Sequence, residues 1–315
     1  MKKRARALLI AVLIGTAFFL HINNAFAVDV WYTVFGKPFV QGFYGENQVL
    51  AMAEFGGTIY VGTGQDQSST HSANVYRLVQ AGCKLWECFT PPWSWYTGSG
   101  SEPYAMAMIV FNNKLYVGTD QGEVWRTDGL KWTNWENVTG SWPKDAITDM
   151  AEFDGYLYIS FNRGAIGSFS SGAAAIWRTK DGSSWQPVPG VGATDPYSYD
   201  LNSLEVFGDH LYAGVGRKKW VEKPVGHFVA AIALWRMDKN GNWMMFKWID
   251  FPDGTAIVKQ PSHVNALKTF KNHLYLGEYH LPIPDGGGLY RTNGSVTSWE
   301  QISANVNGTG VYRLE

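Results

Sequence analysis

The chain has 315 residues, a formal net charge of -1, 17% charged residues, and many Trp (15), Tyr (16), Phe (17) and Gly (35). Charge this close to neutral leaves no electrostatic footprint for nucleic acid. The composition excludes coiled coil and disorder, and favours many short strands joined by tight turns.

The chain opens on Lys2, Lys3, Arg4 and Arg6, runs apolar from Leu8 to Leu20, and reaches a small-x-small site at Ala25-Phe26-Ala27. This order predicts a secretory signal peptide over residues 1–27, with an uncleaved membrane anchor as the alternative. Residues 28–315 then form one exported domain, periplasmic or extracellular, with no later stretch long enough for a stable membrane span. In an oxidising compartment Cys83 and Cys88, spaced C-x4-C in an expected hairpin, suit a disulfide or two buried free thiols.

Five copies of one phrase follow. The first strand of each ends in Phe55, Phe111, Phe153, Phe207 or Phe270, with Met52, Met108, Met150, Leu204 or Leu267 three residues earlier. A Gly/Asn/Asp turn follows, then a second strand such as Ile59-Tyr60-Val61-Gly62 or Leu115-Tyr116-Val117-Gly118. The third strand carries Tyr76-Arg77, Trp125-Arg126, Trp177-Arg178, Trp235-Arg236 or Tyr290-Arg291. The fourth is expected near Trp86, Trp132, Trp185, Trp243 or Trp299. The copies cover about residues 47–89, 105–139, 146–189, 201–250 and 263–303. A period of roughly 40 to 60 residues, made of four antiparallel strands, is that of a β-propeller blade.

The fold class is therefore all-β: a β-propeller of four-stranded antiparallel blades. Trp31-Tyr32-Thr33-Val34 reads as an N-terminal fourth strand that closes the ring. Residues 310–315 read as the start of a further blade, giving six or more in a parent protein. The competing reading is five blades closed irregularly by Tyr312-Arg313-Leu314.

Strand order separates two faces. One carries short turns. The other carries the connections of variable length, including 64–74, 90–104, 161–174, 189–200 and 216–231, and is where a ligand site is expected. Trp93, Trp95, Tyr96, Trp142, Tyr197, Tyr199, Trp220 and His227 lie outside the repeated pattern and are the candidate ligand-binding residues. Glu46, Glu102, Asp145, Asp149, Asp195, Asp200 and Asp253 also map there, and a suitably spaced pair would suit glycoside hydrolysis. Glu54, Glu152 and Glu205 are instead expected to face a neighbouring blade or the short-turn side. His71, His227, His263 and His280 are scattered, so no metal site and no cofactor are expected.

Thr179-Lys180-Asp181-Gly182-Ser183-Ser184-Trp185 and Thr127-Asp128-Gly129-Leu130-Lys131-Trp132 resemble the Asp-box hairpins of sialidases and their relatives, one residue short of the usual spacing. The resemblance implies a structural turn, not an activity. As a whole the chain resembles exported bacterial β-propeller repeat proteins of uncharacterised function. The resulting expectation is a non-catalytic propeller that binds a glycan or a cell-surface protein through the variable-loop face. A glycoside hydrolase or lyase using carboxylates on that face is the alternative, and a structural envelope or matrix protein is a third.

Overall fold

The computed structural model describes residues 48–64, 74–80, 85–92, 104–131, 133–142, 145–162, 175–191, 198–221, 227–250, 262–280, 288–295 and 297–303. The expected signal peptide, the strand at 31–34 and the further blade at 310–315 lie outside these residues. Blade one comprises β1 (Gln48–Phe55), β2 (Thr58–Gly64), β3 (Val75–Gln80) and β4 (Leu85–Cys88). Blade two has β5 (Ala105–Phe111), β6 (Lys114–Thr119), β7 (Val124–Thr127) and β8 (Trp135–Asn137). Blade three has β9 (Ala146–Phe153), β10 (Tyr156–Asn162), β11 (Ala175–Thr179) and β12 (Trp185–Val188). Blade four has β13 (Ser198–Phe207), β14 (His210–Val221), β15 (His227–Met237) and β16 (Trp243–Asp250). Blade five has β17 (Ser262–Phe270), β18 (His273–His280), β19 (Leu289–Thr292) and β20 (Glu300–Ser303).

Each blade is a separate four-stranded antiparallel sheet whose strands pair in chain order. Contacts between the innermost strands run β1–β5–β9–β13–β17 around the axis. This is a five-bladed β-propeller. The five repeats account for the five blades of the described residues.

Local sequence sets the first hairpin of every blade. Gly56-Gly57, Asn112-Asn113, Asp154-Gly155 and Lys271-Asn272 hold positive φ at both central positions. That is the two-residue type I′ geometry, whose twist matches paired strands. In blade four only the first position, Gly208 at φ 58°, is positive.

Blades bury their faces on one another. Tyr60, Tyr116, Tyr158 and Tyr212 on the second strands are 1–2% exposed, and full burial of such a side chain is worth about 1.5–3 kcal/mol. The glycine that ends the Tyr-x-Gly phrase lets the next innermost strand approach. A Cβ on Gly118 would lie 2.6 Å from Ile147 Cγ2, and one on Gly62 would lie 2.7 Å from Ala105 Cβ.

The turn between strands three and four also docks on the preceding blade. Gly129 (φ +75°) sits on Phe55 and Tyr60, and Gly182 (φ +79°) sits on the Tyr116 hydroxyl. The arginine of the repeat reaches the same turns. Arg77 donates to the Gly129 carbonyl (2.8 Å) and to Glu87 (2.6 Å), and its guanidinium lies over the Phe89 ring. Arg126 donates to both Glu136 oxygens (2.8 and 2.9 Å) and to the Asp181 carbonyl (3.4 Å). These arginines are scaffold.

In two blades the fourth-strand tryptophan reaches back. Trp135 Nε1 donates to the Phe89 carbonyl at 2.9 Å, and Trp185 Nε1 to the Val138 carbonyl at 2.8 Å.

The Asp-box-like turns are local caps. Asp181 Oδ1 accepts the amides of Ser183 (2.8 Å) and Ser184 (2.6 Å), and Oδ2 accepts the Ser184 hydroxyl. These donors hold the Asp181 carboxyl well below the usual carboxylate range. Asp128 and Asp238 cap their own turns through the amides of Leu130 and of Asn240 and Asn242.

Two placements differ from the sequence reading. The fourth strand of blade two is built on Trp135, which pairs with Thr127, and not on Trp132, which lies outside the described residues. The expected loop 216–231 is largely strand, because β14 and β15 stay paired out to Val221 and His227.

Candidate functional site

The five innermost strands share an irregularity that positions the site. Pairing of each with its neighbour skips one residue at the same place in the repeat: Leu50 in β1, Met106 in β5, Thr148 in β9, Asn202 in β13 and Asn265 in β17. A bulge bends the strand and re-aims the side chain of the extra residue. The bulged residues are apolar in blades one and two and polar in blades three to five.

An axial cavity of about 310 Å³ lies between these strands. Thr148, Asp149 and Glu152 of β9, Asn202 and Glu205 of β13, and Asn265 and Lys268 of β17 line its polar side. Met52 of β1 and Met108 of β5 line the other. Its size falls at the lower end of small-molecule pockets, about 300–1,000 Å³.

Hydrogen bonds fix the acidic groups. Asp149 Oδ1 accepts the Met150 amide and Oδ2 accepts the Leu204 amide of the next blade, both at 2.8 Å. Glu205 Oε1 accepts the Thr269 amide of the following blade at 3.1 Å. Burial pushes the Glu205 carboxyl above its ordinary value; the nearby Lys268 charge and the Thr269 donors pull it down, and the Asp149 charge adds to the rise. The net result is a proton held more tightly than on a free glutamate, near an acid whose oxygens accept two backbone amides. The amides form a chain: Asn162 Nδ2 donates to Asn202 Oδ1 (3.5 Å), and Asn202 Nδ2 donates to Asn265 Oδ1 (3.2 Å).

The sequence-derived candidates are distributed differently. Trp142 is 7% exposed. Its Nε1 donates to the Gly122 carbonyl at 2.8 Å, and its ring packs against Phe161, Trp177 and Trp185, so it fills the interface of blades two and three. Trp220 and His227 sit in the extended hairpin, paired with Phe228 and Val221, and Tyr199 lies in β13. Trp93, Trp95, Tyr96 and Tyr197 lie outside the described residues. Cys88 is an exposed free thiol at the end of β4 away from the hairpin turn, while its expected partner Cys83 lies outside the described residues.

Asp149 was expected on the variable-loop face, and Glu152 and Glu205 against a blade or the short turns; all three line the axial cavity. Asn202, Asn265, Thr148 and Lys268 were missed. The signal was available in the repeat alignment, five residues before each phenylalanine, where the residue changes from apolar to polar after blade two.

Among the described residues no group of three or more His, Cys, Asp or Glu is placed to hold a metal ion. Among them, also, no helix is long and apolar enough to cross a membrane.

No protein-family model and no curated protein sequence matches the chain. Solved structures do match. The periplasmic gluconolactonase of Pseudomonas aeruginosa aligns over 84% of this chain and 72% of its own, at 7% identity and a TM-score of 0.54. An α-L-arabinofuranosidase of Clostridium thermocellum ATCC 27405 aligns over 84% and 95%, at 14% identity and a TM-score of 0.44. YCF48 bound to D1 peptide aligns over 81% and 67%, at 13% identity and a TM-score of 0.46. The likeness is to the propeller fold across several families, and none of these three is a sialidase.

The expectation that the protein is more a binder than an enzyme is corrected here. Asp149, Glu152 and Glu205 line the axial cavity, which is the arrangement the enzymatic alternative required.

Proposed function

We propose that the chain is an exported carbohydrate-active enzyme, a glycoside hydrolase whose acid–base pair is Glu205 and Asp149. Export rests on the basic start, apolar run and Ala25-Phe26-Ala27 site of the sequence. The observation that carries the activity is the presence, within one cavity, of a carboxyl whose pKa burial raises and a second carboxyl that accepts two backbone amides. The raised carboxyl is assigned as the acid and its neighbour as the base.

In the proposed reaction Glu205 gives its proton to the leaving glycosidic oxygen as the C–O bond breaks. Water adds to the anomeric carbon, and Asp149 takes the proton that the water loses. Blade-to-blade bonds to Leu204 and Thr269 keep both groups in position.

The test is turnover of a panel of nitrophenyl pentosides and hexosides by the mature protein, Glu205→Gln and Asp149→Asn. Loss of the acid should lower kcat by about 10²–10⁴-fold. Absence of turnover on every glycoside, or full activity in Glu205→Gln, would overturn the assignment.

A further inference from the structure

We infer that the bulged amides make the axial cavity selective for a neutral monosaccharide unit, with Asn265 as the residue that reads a sugar oxygen. This rests on the hydrolase reading and specifies its substrate class.

The amide chain has a direction. Asn162 donates to Asn202, and Asn202 donates to the carbonyl oxygen of Asn265. Among the described residues the Asn265 Nδ2 group makes no hydrogen bond, and Asn265 lines the cavity. An amide has two donor hydrogens on nitrogen and one acceptor oxygen. With Asn202 already on the oxygen, the free groups at the end of the chain are chiefly the two N–H donors of Asn265, which take an acceptor such as a hydroxyl or ring oxygen. The bulge falls at Asn265, and the residue lines the cavity.

The opposite wall suits the rest of a sugar. Met52 and Met108 are flexible, polarisable side chains that adapt to an irregular C–H surface. A pyranose or furanose unit presents both characters, an oxygen-rich rim and an apolar face. Charge narrows the class. Among the described residues, Asp149, Glu152 and Glu205 share the cavity with a single cation of its lining, Lys268. A uronate would bring a further carboxylate into an acidic, partly desolvated site, which costs affinity. A neutral unit does not meet that cost.

The experiment measures binding and turnover separately. Neutral pentoses and hexoses, with glucuronate as the charged probe, are titrated into wild type, Glu205→Gln, Asn265→Asp and Asn265→Ala by calorimetry. Asn265→Asp keeps an oxygen for the Asn202 donor but removes the donor to the sugar, so it tests recognition even where Asn265→Ala unfolds. Both Asn265 variants should bind the preferred neutral sugar at least about fivefold more weakly, because one donor to the sugar is lost. Glucuronate should bind more weakly than the neutral sugar throughout.

Equal binding by wild type and Asn265→Asp, or tighter binding of glucuronate, overturns the inference. If turnover still depends on Glu205, the hydrolase reading survives that failure. If Glu205→Gln is fully active while binding depends on Asn265, the acid assignment fails and the recognition stands. If no sugar binds, both fall.

Discussion

Gly182→Ala is the sharpest test of how blades are joined. The added Cβ would fall 1.9 Å from the Tyr116 hydroxyl oxygen and 3.0 Å from an Arg126 nitrogen, at a residue with φ +79°. Two costs are superposed. A left-handed backbone at a residue with a Cβ costs about 1–2 kcal/mol, and forced repacking of a filled contact costs a further 1–3 kcal/mol, roughly. Gly241 separates them. It holds φ +83° in the corresponding turn of blade four, with nothing within 4 Å of its Cβ position. Gly241→Ala should therefore lose only the backbone cost, and Gly182→Ala about 2–5 kcal/mol in all. Urea unfolding of the two variants and wild type measures the difference, provided that the slope of stability against denaturant is unchanged. Adding Tyr116→Phe should recover part of the Gly182→Ala loss, because it removes the oxygen that the methyl meets. Equal losses in the two glycine variants would refute the claim that this turn docks on the tyrosine.

Three further outcomes follow from the same structure. Glu205 has a folded-state pKa raised above its ordinary 4.5, so its ionisation costs stability as pH rises from the unfolded value through the folded one. Glu205→Gln should be at least as stable as wild type at neutral pH, with the difference vanishing below about pH 4, as thermal melts across pH would read. Asp181 is the opposite case: its depressed pKa adds stability above the unfolded value that is lost as pH falls. Asp181→Asn should flatten the acid limb of the melting curve, by a modest amount because the turn is exposed. Trp142→Ala should cost about 3–5 kcal/mol, the loss typical of a buried aromatic. Its chemical denaturation would show this, and unchanged stability would place Trp142 outside the core.

The architecture was legible because it repeats. Phe111, Tyr116 and Arg126 mean little alone, but the same triplet in every copy marks positions that the neighbouring blade requires. The site was less legible for a physical reason. Strand periodicity assigns alternate residues to alternate faces, and a bulge resets that alternation by one. Asn202, Asn265 and Thr148 sit at such a reset, so alternation gives no guide to where their side chains go. The aromatics that break the pattern were a weaker guide. Trp142 departs from the repeat because it plugs one particular junction, against Phe161, Trp177 and Trp185. The fourth strand of blade two was expected near Trp132, and pairing with Thr127 places it at Trp135 instead.

The bonds that join blades have a consequence for how the chain acquires its shape. Trp135 reaches back 46 residues to Phe89, Arg77 is joined to Gly129 across 52, and Ser203 to Val264 across 61. Each link spans about one repeat. A chain wired in this way can mature during synthesis, each newly emerged blade docking on the one completed before it. The entropy of loop closure is then met in a series of similar steps and not in one long-range closure. The order of translation is also the order of assembly, and a defect in one blade would stall those behind it while leaving those ahead intact.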